Sequence, residues 1–176
     1  QSSTIIGHKG KEVTIDLIAA FLPQNVVQNL YAVMAANELT VENLTLEPIA
    51  AITVVVPEDI RLLNIALVDI GAGTSDIAIS KDGSIVAYDM VTTAGDEITE
   101  AIMQKCLCNF ENAEKIKIAL DTDNSQITYT DILGNTHKEV KSKLLKNLKP
   151  AIKVLSEEIA NGILKANGAA PTAVFL

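Results

Sequence analysis

The apolar positions of this 176-residue chain change period several times, and the changes divide it into elements. Residues 11–22 alternate loosely and are rich in Ile, Val and Thr, which predicts a strand ending at Pro23. Val26, Val27, Leu30, Tyr31 and Met34 fall on one stripe at helical spacing, so an amphipathic helix is predicted over Pro23–Glu38. Leu44-Thr-Leu46 reads as a short strand. Pro48–Val56 stays open between two states: the proline suits a helix start, whereas Thr53-Val-Val-Val56 favours a strand. The apolar runs Ile65–Val68 and Ile77–Ile79 flank a glycine turn, and Lys81-Asp-Gly83 marks a second turn before a strand at Ser84–Val91. Three consecutive strands joined by tight turns predict an antiparallel meander, not a βαβ unit.

Helical periodicity then returns. A helix opens near Thr92-Thr-Ala-Gly-Asp96, with Asp96 and Glu97 placed to favour its N-terminus, and a second covers about Asn112 to Leu120. After the polar loop Asp121–Ser125 comes a hairpin whose turn is read as Gly134-Asn135. Lys141–Lys165 is a long helical pattern interrupted by Pro150, which predicts two helices or one kinked helix, ended by Gly168 and Pro171. Thr172–Leu176 reads as a buried strand, so a continuation of the chain is expected.

Composition narrows the function. Nearly half the residues are apolar, enough for a real core, but aromatics are scarce, so Ile, Leu, Val and Ala must build it. A net charge of −8 argues against nucleic acid, because phosphate backbones are held by clustered Lys and Arg. No apolar run approaches the length of a membrane span, and a cytoplasmic protein is expected. Cys106 and Cys108, two apart on an expected helix, point away from each other and read as packing residues. His8 and His137 are isolated and read as surface residues.

Leu67-Val-Asp-Ile-Gly-Ala-Gly-Thr-Ser-Asp76 carries the candidate chemistry. Gly71 and Gly73 let the backbone come close to a ligand, and successive N–H groups in such a turn form an anion-binding concavity. Asp69, at the end of the first strand, is placed to hold a metal ion or a water beside phosphates. Alone, the segment reads equally well as an ordinary hairpin. Glu114 and Lys117, three apart on one helical face, likewise read first as a surface ion pair.

Taken together, the motifs resemble those of the actin-like ATPase superfamily. Asp69-Ile-Gly-Ala-Gly-Thr-Ser-Asp76 resembles its second phosphate motif, and Ala94-Gly-Asp-Glu-Ile-Thr99 is similar to the Gly-Gly-Asp segment that follows, with Ala94 in place of the first glycine. Ala113-Glu-Lys-Ile-Lys-Ile118 resembles a Glu-x-x-Lys helix that contacts ribose and adenine. Within the superfamily, Leu22–Leu30, Leu46–Ala51 and Ala66–Gly71 run in the order and spacing of the FtsA family of bacterial cell-division proteins.

This resemblance implies an α/β, ribonuclease H-like fold: a mixed sheet with a three-strand meander and flanking helices, here truncated. It implies that residues 1–64 end a first actin-like domain and that 65–176 form a second, with a lid-like subdomain at about 109–148. It also implies a helix at Pro48–Val56. The implied ligands are ATP and Mg²⁺. Asp69 would be the catalytic and metal-positioning acid, and Gly71, Ala72, Gly73, Thr74, Gly95, Asp96, Glu114 and Lys117 the nucleotide contacts. Asp76 is expected to brace the hairpin, and Asp96 either to serve the phosphates or to cap its helix. The family's first phosphate loop and its Gly-Gly adenosine motif are absent from this sequence, so little hydrolysis is expected of it alone. Implied partners are further copies, the tail of the tubulin-like division protein and other division proteins, at the inner face of the membrane through a region outside this chain. The alternatives are a non-hydrolysing scaffold of the pilus-assembly type, a sugar kinase or a dehydratase activator.

Overall fold

The computed structural model describes residues 7, 9–12, 14 and 17–176, which divide into two units, 1–44 and 45–176. In the first unit the expected helix is present as α1, Gln24–Ala36, with Pro23 as its N-cap. Its apolar stripe has no buried residue. The described part of 11–22 forms no strand; residues 13, 15 and 16, like His8, lie outside the described residues.

The second unit is built on a four-stranded sheet in the order β3-β2-β1-β6. β1 (Ile65–Ile70), β2 (Ser75–Lys81) and β3 (Ser84–Val91) form the predicted antiparallel meander. β6 (Ala173–Phe175) returns parallel to β1. Alternation along the strands sends residues to two cores. Ala66, Val68, Ile77 and Ile79 meet Ile159 and Ile163 on one face. On the other, Ile65, Leu67 and Ala78 meet Ile52 and Val56.

That second contact decides the ambiguous segment: α2 covers Glu47–Val55 as a helix. Burying Ile52 completely against the sheet outweighs the strand preference of the valines, and Thr53 satisfies its hydroxyl on the Ile49 carbonyl at 2.6 Å. Leu44-Thr-Leu46 is not a strand. It pairs with no strand among the described residues, and Leu46 is the extended N-cap of α2.

α3 (Gly95–Cys106), α4 (Phe110–Ala119) and the hairpin of β4 (Gln126–Thr130) and β5 (Thr136–Val140) enclose a third core around Ile102, Ile116, Tyr129, Leu144 and Leu148. The hairpin loop is wider than a two-residue turn. Asp131 organises it, accepting from the N–H groups of Leu133 and Asn135, both at 2.9 Å, while Gly134 takes the left-handed conformation.

Of the two expected outcomes at Pro150, a division into two helices does not occur: one helix, α5 (Lys141–Asn167), continues through it. Leu144 and Leu148 anchor it in the third core, and Ile159 and Ile163 against the sheet. Burial at both ends holds the helix across the hydrogen bond that proline removes, and the carbonyl left without its donor belongs to solvent-exposed Lys146. Gly168, at φ 74°, ends it as predicted.

Candidate functional site

The turn between β1 and β2 is shaped by its main chain. Gly71 N–H donates to the Thr74 carbonyl at 2.9 Å, closing a four-residue loop. The N–H groups of Ala72, Gly73 and Thr74 find no backbone acceptor among the described residues, so three adjacent donors line an exposed turn. Neither Gly71 nor Gly73 occupies the left-handed region. Gly71 is constrained by space, since a Cβ there would stand 3.1 Å from the Thr74 carbonyl oxygen. At Gly73 a Cβ would meet nothing within 4 Å.

Register places Asp69 directly opposite Asp76 across β1 and β2. Burial, and then the neighbouring Asp69 carboxylate, push the Asp76 carboxyl above its ordinary range. Asp76 makes no side-chain hydrogen bond among the described residues, so it does not brace the hairpin as expected. The brace is Ser75, fully buried, whose hydroxyl donates to the Thr93 carbonyl at 2.7 Å. Two carboxylates facing each other at the end of a strand pair, one of them held toward its neutral form, suit a hard cation.

The start of α3 locks onto this turn. Gly95 N–H donates to the Gly71 carbonyl at 3.0 Å, and Asp96 N–H to that of Ala72 at 2.8 Å. A Cβ at Gly95 would stand 3.1 Å from the Gly71 oxygen, which explains a glycine there. Ala94 replaces the family's first glycine without strain: at φ −158° its backbone is extended, and its methyl is completely buried. Glu97, not Asp96, supplies the cap, accepting from the Ala94 N–H at 2.6 Å. The Asp96 side chain makes no capping bond among the described residues.

Glu114 and Lys117 form the expected ion pair, at 2.5 Å, with both side chains about a third exposed. It is not an isolated surface pair. Lys117 Nζ also reaches the Thr99 hydroxyl at 2.7 Å and the Gly95 carbonyl at 3.3 Å, and Thr99 bonds to Glu114. Lys117, then Thr99, hold the Glu114 carboxyl below its ordinary range. The structure thus joins Gly71, Ala72, Gly95, Asp96, Glu114 and Lys117 in one network, with Asp69, Gly73 and Thr74 at its open end. Sequence alone assigns no role to Ser75 or Thr99 and gives Glu97 only its favourable place at the N-terminus of α3. Glu97 was legible as the third residue of a helix, whereas the buried hydroxyls carried no sequence signal.

The remaining candidates lie elsewhere. Cys106 ends α3, Leu107 takes a left-handed conformation at φ 49°, and Cys108 follows outside the helix. Both thiols are nevertheless buried in the third core, and burial raises their pKa values. His137 is more than a surface residue: it stacks on Tyr129 and bonds the Asp131 carboxylate at 2.8 Å. Among the described residues no group of three or more metal-ligating side chains occurs, and no helix is long and apolar enough to cross a membrane.

A family model described as "Cell division protein FtsA" matches residues 66–172. The cell division protein FtsA of Pseudomonas aeruginosa is 37% identical over 94 residues, covering 53% of this chain and 22% of that protein. Its counterpart in Bacillus subtilis is 22% identical over 148 residues, covering 77% of this chain and 34% of that protein. The chain therefore spans between about a fifth and a third of these relatives. Among solved structures, MreB5 of Spiroplasma citri bound to ADP matches with a TM-score of 0.59 at 21% identity, over 81% of this chain and 48% of that one. The PilM-PilN type IV pilus biogenesis complex matches at 0.58 and 17% identity, over 77% of this chain and 35% of that one. These likenesses carry the fold, which is the expected actin-like one: a mixed sheet with a three-strand meander and flanking helices.

Proposed function

The chain belongs to the FtsA family of cell division proteins, and from that premise we propose that residues 45–176 provide one side of an ATP·Mg²⁺ site. The observation that carries the reading is the turn at 71–74, where three adjacent N–H groups have no backbone acceptor among the described residues, beside the Asp69–Asp76 pair. In this reading the N–H groups of Ala72, Gly73 and Thr74 and the Thr74 hydroxyl bind phosphate oxygens. Asp69 and Asp76 would hold Mg²⁺, which when bound neutralises phosphate charge. Asp96, on the first turn of α3, faces the same end. Glu114 and Lys117 take the sugar side of the nucleotide. The chain's own work is to bind, orient and exclude.

The domain division at 64/65, with a lid-like part at 109–148, belongs to the same proposal, as do self-association, the tail of the tubulin-like division protein and other division proteins as partners. So does a cytoplasmic place at the inner face of the membrane. Calorimetric titration of the full-length protein with ATP·Mg²⁺ tests the reading. Binding is expected, reduced more than about tenfold by Asp69→Ala or Gly73→Val, the loss of one or more charge-assisted contacts. Equal affinity in wild type and both variants would sink it. No binding at all would leave the scaffold alternative in its place.

A further inference from the structure

We propose that Thr99 is a positioning residue: its buried hydroxyl fixes the Glu114 carboxylate so that one oxygen stays free for a ligand hydroxyl, and it ties this carboxylate to the phosphate turn. The proposal rests on the nucleotide reading of the site and extends it to a residue that neither the turn nor the Glu-x-x-Lys spacing indicates.

Thr99 is completely buried, at the start of the second turn of α3. Its oxygen lies within hydrogen-bond reach of three groups: the Gly95 carbonyl at 3.1 Å, Glu114 Oε1, and Lys117 Nζ at 2.7 Å. A threonine hydroxyl has one proton to donate and two lone pairs to accept with. The ammonium must donate to it, so the single proton goes either to the neutral Gly95 carbonyl or to the ionised Glu114 carboxylate. The charged acceptor wins, because charge-assisted hydrogen bonds are roughly twice as strong as neutral ones. The Gly95 carbonyl is still served, by Lys117 at 3.3 Å.

This assignment saturates one side of the carboxylate. Glu114 Oε1 takes both Thr99 and Lys117, while Oε2 has no partner among the described residues. The same network leads through Gly95, whose N–H donates to the Gly71 carbonyl, to the phosphate turn. A ligand that places phosphates at one end of this network and hydroxyl donors at the other is a nucleotide with its sugar diol toward Oε2. Without the Thr99 hydroxyl, Glu114 keeps Lys117 but loses the bond from the buried side, and its plane is free to turn.

The test uses the full-length protein and compares ATP with 2′-deoxy-ATP and 3′-deoxy-ATP, each with Mg²⁺, by equilibrium binding. Wild type is expected to prefer ATP over at least one deoxy analogue by about tenfold, the cost of one hydrogen bond to a charged group. Thr99→Val keeps the side-chain shape and removes the hydroxyl, so the preference should fall to within about twofold. Thr99→Ser should restore it, which a purely structural role of the methyl group would not do. Should Thr99→Val fail to fold, Glu114→Gln on the partly exposed partner asks the same question, with the same collapse expected. Undiminished discrimination in Thr99→Val, or in Glu114→Gln, would overturn the proposal while ATP binding itself stands. Absence of ATP binding in wild type would overturn both this and the reading beneath it.

Discussion

The two ends of the candidate site are held by different means. At the turn 71–74 the main chain does the holding: Gly71, Gly95 and Asp96 exchange backbone hydrogen bonds, and the side chains at 72–74 stay out of the network. At the end formed by α3 and α4 side chains do it, with Thr99, Glu114 and Lys117 converging on one another. A main-chain scaffold tolerates changes of side chain unless a Cβ has no room. A side-chain cluster fails when one hydroxyl or charge is removed. The first end should therefore separate binding from stability cleanly, and the second should not.

The largest effect comes from removing the floor beneath both ends. A Cβ at Gly162 of α5 would stand 2.6 Å from Ile77 Cδ1 and 3.0 Å from Val91 Cγ1, and Ile77 is fully buried. Gly162→Leu is expected to cost about 3 kcal/mol by overpacking and to lose both ends together in chemical denaturation. A cost below about 1 kcal/mol would mean that α5 sits farther from the sheet.

Gly73→Val comes next and breaks the comparison at one end only. Its Cβ meets nothing within 4 Å, so thermal stability should stay within about 0.5 kcal/mol of wild type while ATP·Mg²⁺ affinity falls more than about tenfold. A matching loss of stability would show that the turn is not supported by its main chain alone.

Asp76 yields a smaller effect, with a definite sign. Its folded pKa is raised by burial and then by Asp69, so the folded state holds more proton than the unfolded state above the ordinary carboxylate range. Stability therefore falls as pH rises through that window, and the penalty persists at neutral pH. Asp76→Asn should stabilise the protein at pH 7 by about 0.5 kcal/mol, as expected for relief of like charges opposite each other in a sheet. It should also weaken the Mg²⁺ dependence of ATP binding. A destabilised Asp76→Asn would contradict the facing-carboxylate geometry.

The β4–β5 loop supplies the smallest effect and a control. His137 first, then the Asn135 amide, holds the Asp131 carboxyl well below the usual carboxylate range. A depressed folded pKa contributes stability that is present above the unfolded pKa and lost as pH falls through the folded one. Asp131→Asn should flatten the acid limb of the stability profile and leave ATP affinity unchanged. A shift in affinity would join the loop to the site.

Much of this was legible in one dimension. Apolar runs on either side of a glycine turn, with a second turn at Lys81-Asp-Gly83, gave the meander, and the order of Asp69, Gly71, Gly73, Gly95 and Glu114-x-x-Lys117 gave the candidate site its residues and the chain its family. Such features are local, since turns, strand faces and helical spacing depend on neighbours a few residues away. Tertiary structure decided the rest. It made Glu47–Val55 helical by burying Ile52 against β1 and β2, and it kept α5 whole across Pro150 by anchoring both its ends. It set Asp76 facing Asp69, and it made Thr99, 15 residues from Glu114, the hinge of the ion pair. A buried hydroxyl acquires its role from the groups brought to it across the fold, and no pattern of near neighbours records which groups those will be.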